Sequence, residues 1–176
     1  MEKILNIVNH LTSIFYDFET IANEIEMPII CFLSEEEKIS SLNYPGLYRI
    51  DILTEGNGCD YKTWIELFSK EWKHENYLKK FTPNPKIKRI KCHDKLQEWM
   101  PLYLGKSKNV AHRVSSHIHL DLEIKTFALK LKARQNMDLT KLRLHSINLE
   151  VKNYDLIAPR LESALRNRIN PILGKQ

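Results

Sequence analysis

The sequence predicts an α+β (mixed α/β) domain: a small antiparallel three-stranded sheet flanked by helices, preceded by a helical arm. Three observations predict it. Firm strand-like alternation occurs at 46–53, 100–104 and 142–149. Helical periodicity lies between and around these runs, beginning with a long apolar stripe at the N-terminus. The first two strand signals stand far apart, with a helical pattern of their own between them, so one connection of the sheet carries a long insertion.

Composition bounds the rest. The chain has 176 residues, 43% hydrophobic, with three Trp. That is enough to bury one core and too little for two full domains. No run of apolar residues is long enough to span a membrane. The N-terminus does not read as a secretory signal, because Asn6, Asn9 and His10 interrupt its apolar positions and Asp17 and Glu19 follow. Cys31, Cys59 and Cys92 are an odd, scattered set without CxxC spacing. They point to free thiols and a cytoplasmic location.

The elements follow in order. Ile4, Ile7, Leu11, Ile14, Phe18, Ile21 and Ile25 recur every three or four residues and predict one amphipathic helix over 4–25, ended by Pro28. Residues 35–45 form a connector with a short acidic helix. Gly46–Leu53 alternates as the first strand, and Gly56-Asn57-Gly58 turns the chain. Trp64, Leu67, Phe68, Trp72 and Tyr77 give a helix within 61–80, broken by Pro83 and Pro85. Residues 86–92 (KIKRIKC) alternate basic with apolar and read as an edge strand. Met100–Leu104 is the second strand, broken by Gly105. Asn109 caps a helix over 110–117, and 126–135 reads as another helix. Residues 142–149 give the third strand. A last helix runs to about Ile169, with Pro159 expected in its first turn. Residues 1–40 are thus an acidic arm and 41–176 the body, with 54–98 as the insertion.

Charge is unevenly spread. The net charge is +5, but residues 1–40 carry −6 and 41–176 carry +11. A basic body suits a polyanionic partner. The excess concentrates in 79–95, which carries +6. The alternation places Lys86 and Lys88 on one side of that segment. Together with Lys91 and Lys108 they are candidates for phosphate contacts, and Arg89 is the candidate to read a base edge. The insertion is expected to project from the sheet and lie along DNA.

The chemistry-bearing residues gather around the second strand. Tyr103 stands near its end and Lys106 in the turn after it. Arg113 and His117 follow at i and i+4 on one helix, hence on one face. Tyr, Lys, Arg and His converging on a turn make a good phosphate site, since Arg binds phosphate bidentately and Lys acts as a point charge. Metal readings built on His117-Ile118-His119 or Cys92-His93 find no second cluster at zinc spacing.

Gly46-Leu47-Tyr48, then Tyr103-Leu104-Gly105, then Arg113, then Glu162 in a late helix resemble the GIY-YIG nucleases. The resemblance covers roughly 46–53 and 100–176. It implies a divalent-metal-dependent DNA endonuclease that hydrolyses phosphodiester bonds, closest in style to the small type II restriction enzymes of that group. It implies Tyr48, Tyr103, Lys106, Arg113, His117 and Glu162 as the catalytic set. Glu162 would be the ligand to Mg²⁺, with Mn²⁺ as a substitute, and either tyrosine the general base. Glu162 also has Arg166 at i+4, the ordinary partner of a helix-surface glutamate. Two features depart from the family. Tyr48 and Tyr103 are far apart in sequence, and Gly174 stands where the family often carries Asn, with Asn170 out of register. The alternatives are a catalytically weak or inactive nucleic-acid-binding module, or a repair or mobile-element nuclease. The expected partner is double-stranded DNA, with no membrane, and a homodimer through the 4–25 stripe.

Overall fold

The structure, a computed structural model, describes every residue except 56–57, 78, 80 and 175–176. Gly56 and Asn57 of the expected turn, and Lys80 of the basic segment, lie outside the described residues. In chain order the elements are α1 (Glu2–Glu24), β1 (Ile29–Phe32), α2 (Glu36–Ser40), β2 (Gly46–Leu53), α3 (Tyr61–Trp72) and β3 (Asn84–Pro85). Then follow α4 (Ile87–Ile90), β4 (Trp99–Ser107), α5 (Val110–His119), β5 (Leu142–Asn148), α6 (Tyr154–Ile169) and β6 (Leu173–Gly174).

The class is as expected, mixed α+β, but the main sheet has four strands rather than three. They run in the order β1-β5-β2-β4, each pair antiparallel. The extra strand, β1, is four apolar residues directly after Pro28. It is too short for alternation to show, and its pairing with β5 is irregular between Ile29 and Cys31. It lies in the segment read as part of the arm, yet it is an edge of the body's sheet.

Helices cover both faces of the sheet. On one face Tyr48, Ile50, Leu102 and Leu144 pack with Ile65, Phe68 and Trp72 of α3 and with Val110, Val114 and Ile118 of α5. On the other, Leu47 and Leu104 meet Leu161 and Leu165 of α6 and Ala22 of α1. The insertion therefore does not simply project: its helix α3, started by Asp60 accepting from the Thr63 N–H at 2.7 Å, builds the core. Trp72 closes it, buried and donating through Nε1 to the Pro83 carbonyl at 2.8 Å.

Four local expectations are corrected. Residues 86–92 are not an edge strand. Ile87–Ile90 make one helical turn, held by β3 pairing with β6 and by the Lys86 N–H donating to the Ile172 carbonyl. The second strand does not stop at Gly105 but runs on to Ser107. Pro159 lies inside α6, which begins after Asn153 in the left-handed region. Residues 126–135 are not helical either. Their backbone donors are taken elsewhere: the N–H groups of Leu131 and Lys132 cap the carbonyls of His117 and Ile118 at the end of α5.

Two buried cations hold this loop in place. Lys130, at φ 59, donates to the carbonyls of Leu122 and Ile124 at 2.8 and 2.6 Å. Arg134 stacks over Trp72, 3.7 Å from the ring centre, and donates to the carbonyls of Leu129, Trp72 and Tyr77. Its burial is deep enough to pull its pKa down to about 10. Removing Arg134 orphans three carbonyls and opens a gap against Trp72. Arg134→Ala is expected to lose roughly 3 kcal/mol or more in urea unfolding, with Arg134→Lys recovering only part because it lacks the planar fork. A loss under about 1 kcal/mol would show that the loop is held by other contacts.

Candidate functional site

The pairing of β2 with β4 sets Tyr48 directly opposite Gly105. A Cβ at Gly105 would stand 2.5 Å from the Tyr48 hydroxyl oxygen and 2.8 Å from Cζ. Only glycine lets the Tyr48 ring lie across β4. Tyr103, two residues earlier on β4, brings its ring centre to 6.2 Å from that of Tyr48. Both tyrosines are buried.

Helix α5 supplies the next layer. Asn109 caps it by accepting from the His112 N–H at 2.8 Å. Arg113 and His117 then fall one turn apart, and His117 sits 4.8 Å from the Tyr103 ring centre and 5.7 Å from that of Tyr48. The Leu129 N–H donates to His117 Nδ1 at 2.9 Å. Nδ1 is therefore unprotonated, and the neutral ring carries its proton on Nε2. Nε2–H donates to the Tyr48 hydroxyl oxygen at 2.8 Å. Complete burial, with Arg113 adding to it, holds the His117 pKa well below the ordinary histidine value. Burial pushes the pKa of Tyr48 far up, with Tyr103 adding to the rise and Arg113 opposing it. Tyr103 is raised by burial too, against the pull of Arg113 and Arg166. Arg113 also donates to the Phe127 carbonyl at 2.5 Å.

Helix α6 brings in Glu162. Its residue exposure is 7%, and burial raises its carboxyl pKa. Four cations oppose that rise, in the order Arg166, Lys106, Arg89 and Arg113. Arg166 is its direct ion-pair partner. Arg89 reaches the cluster from α4. A Cβ at Gly174 would stand 3.0 Å from Arg89 Nη1, so the Arg89 side chain packs into the space that glycine leaves. Burial, then repulsion from Arg166, lowers the Arg89 pKa.

The structure thus brings together Tyr48, Tyr103, Arg113 and His117, and sets Glu162 with Lys106 within electrostatic reach of them. Arg89 belongs to this cluster too, where the sequence had placed it in a separate base-reading surface. Lys86 stands just before α4 beside Gly174, and Lys88 and Lys91 are exposed at that turn. Lys108 pairs instead with Asp155 at the start of α6, 2.8 Å away. Arg166 and Arg89 are the site residues that the sequence did not assign to it. The i+4 spacing signals Arg166, whereas Arg89 arrives only through the pairing of β3 with β6.

A polar cavity of about 430 Å³ lies on the sheet face that α6 covers, lined in part by Arg168, Ile169 and Asn170 at the end of that helix. There Asp51, 2% exposed, accepts from Arg49 and Arg143 and pairs with His145. Asp51 Oδ2 carries these bonds, whereas Oδ1 lies 2.8 Å from Arg49 Nε as an ion pair with neither atom in a hydrogen bond, and the cavity lies on the sheet face away from the tyrosines.

Among the described residues, no group of three or more His, Cys, Asp or Glu side chains could hold a metal ion. Glu162 is a single hard oxygen ligand. That fits an ion such as Mg²⁺ or Mn²⁺, which keeps most of its waters and takes phosphate oxygens. The four neighbouring cations repel such an ion until a phosphate offsets their charge.

Compared with known proteins, the chain matches no family model, no curated protein and no solved structure. Among the described residues, no helix is long and apolar enough to cross a membrane.

The state of His117 has a consequence for stability. An unfolded histidine titrates near 6.5, and the folded His117 titrates well below that. The unfolded chain takes up the proton first. The stability contributed by neutral His117 is therefore full above about pH 6.5 and lost as pH falls below it. Thermal unfolding from pH 8 to 5 is expected to show a steeper fall in Tm for the wild type than for His117→Gln. Equal slopes would mean that His117 is not held neutral.

Proposed function

We propose that the chain is a divalent-metal-dependent DNA endonuclease of GIY-YIG type, hydrolysing phosphodiester bonds in the manner of a small type II restriction enzyme. One observation carries the reading: a single buried carboxylate, Glu162, is ion-paired with Arg166 and lies within electrostatic reach of Lys106, Arg89, Arg113 and two buried tyrosines. A site with four cations and one anion is undercompensated by itself and is complementary to a polyanion. The nearness of Tyr48, Tyr103, Arg113 and His117, with Lys106 and Glu162 in electrostatic reach, supports this reading.

The residues divide the work as follows. Arg113, which faces both tyrosines, neutralises charge that develops on the scissile phosphate. Lys106, Arg89 and Arg166 hold the flanking phosphate oxygens. His117 orients Tyr48 by donating to its oxygen, which also favours the phenolate form. Either tyrosine is the candidate to take a proton from the attacking water; burial disfavours its phenolate, which would form only with the added positive charge of a bound divalent ion beside Arg113. Glu162 would hold Mg²⁺, or Mn²⁺ in its place, which would supply positive charge near the reacting phosphoryl group. The exposed Lys88 and Lys91, with Lys86, lie at the turn that carries Arg89 and extend the basic surface for the DNA backbone.

A specific observation favours a second reading. Glu162 is already paired with Arg166, as it would be in a nuclease-like module that grips nucleic acid without cutting it. A repair or mobile-element nuclease would use the same chemistry with a different target.

Incubation with plasmid separates these readings. The wild type is expected to cut with Mg²⁺ or Mn²⁺ and not with EDTA. Glu162→Gln and Arg113→Ala are each expected to cut at least a hundredfold more slowly, about 2.7 kcal/mol of transition-state stabilisation, with DNA binding kept. Defined bands indicate restriction and a smear indicates a less specific nuclease. Intact plasmid with a gel shift overturns the enzyme reading in favour of the binding module.

A further inference from the structure

Helix α1 carries a surface that the site does not use. Its apolar residues Ile4, Ile7, Leu11, Ile14, Phe18 and Ile21 alternate steps of three and four, a seven-residue period. That period is the seam of a helix that winds along another helix. Within the chain only the C-terminal part of the seam is covered: Phe18, Ala22 and Ile25 pack with Leu161 and Leu165 of α6. The N-terminal part lies open. Ile4 is 63% exposed, Ile7 60%, Leu11 50% and Ile14 47%.

We propose that residues 2–17 of α1 pair antiparallel with the same segment of a second copy of this chain, forming a two-fold symmetric homodimer. The charges favour this occupant. Antiparallel pairing sets Ile4 against Ile14 and Ile7 against Leu11 across the seam, since a positions meet d positions in that arrangement. It then brings Lys3 alongside Asp17 of the second copy, twice, and His10 alongside its own equivalent. Parallel pairing gives Lys3 no acidic partner. It also crowds the two bodies at one end of the seam, because each body is attached through the C-terminal half of α1.

The open stripe offers roughly 400 Å² of apolar surface per protomer, taking about half of each side chain's transferable area. With its polar flanks this approaches the lower end for a specific interface, about 600 Å² per partner. An interface of this size belongs with the weak, transient associations. A lipid surface is the poorer occupant. Lys3 is the only Lys or Arg in residues 2–17, and a helix lying on an anionic membrane carries a basic polar face.

Sedimentation of the full chain between about 1 and 200 µM tests the proposal. The wild-type mass is expected to rise from one chain to two. Ile7→Asp with Leu11→Asp is expected to stay at one chain throughout with its Tm unchanged, because both side chains are half or more exposed. His10→Cys, with Cys59 and Cys92 replaced by Ser, is expected to form a disulfide-linked dimer on oxidation. A wild type that remains a single chain, or a double variant that still dimerises, overturns the proposal. A dimer in which His10→Cys does not cross-link overturns the antiparallel arrangement. Retention of a monomeric wild type on phosphatidylserine vesicles, lost in the double variant, overturns the second copy in favour of a membrane.

Discussion

A neutral, fully buried imidazole ties three separate parts of the chain into one arrangement. His117 accepts from the Leu129 N–H on one side and donates to the Tyr48 oxygen on the other. The first bond fixes the loop after α5, whose next N–H groups go on to satisfy the last carbonyls of that helix. The second bond fixes the Tyr48 ring across β4, and that position is open only because residue 105 is glycine. Loop, helix and strand therefore cannot shift independently. A protonated His117 would lose its bond from Leu129 and face Arg113 as a like charge, so the arrangement and the neutrality of the ring depend on each other.

Two charged clusters lie near α6, and they differ in how their charges balance. Around Asp51 one carboxylate meets two arginines and a histidine, and Arg143 also stacks over Trp99 at 4.4 Å. Asp51 Oδ2 is shared among these three side chains, while Oδ1 and Arg49 Nε meet only as an ion pair. Around Glu162 four cations meet one carboxylate whose burial already opposes its charge. The four cations are each partly exposed, so solvent takes up part of their mutual repulsion while Glu162 between them stays buried. The fold carries this imbalance on well-anchored elements. Glu162 and Arg166 sit on α6, packed on the sheet through Leu161 and Leu165, and Arg89 is fixed by the β3–β6 pairing.

Much of this was legible in the residues, for physical reasons that also explain what was not. The strands carrying Tyr48 and Tyr103 show in alternation because each buries one face, and α5 shows in its Asn109 cap and its period. The pairing of Arg113 with His117 follows from i, i+4 spacing. β1 was missed because four apolar residues have no period to read. Residues 126–135 looked helical because Ala128, Leu129 and Leu131 are apolar at helix-like intervals. Their backbone donors are instead claimed by α5 and by His117, a competition that exists only in the folded chain. The KIKRIKC run looked like a strand by alternation, but the Ile172 carbonyl and β6 turn it into a helical turn and redirect Arg89 toward Glu162.

The protonation state of His117 is where the account is most exposed. Nitrogen-15 NMR of the imidazole, followed from about pH 8 to 5, reads it directly. The expected result is a single neutral tautomer with the proton on Nε2, unchanged across the range while the protein stays folded. A ring protonated on Nδ1, or one that titrates near the ordinary value of about 6.5, would break the chain from Leu129 through His117 to Tyr48 and contradict the arrangement described above.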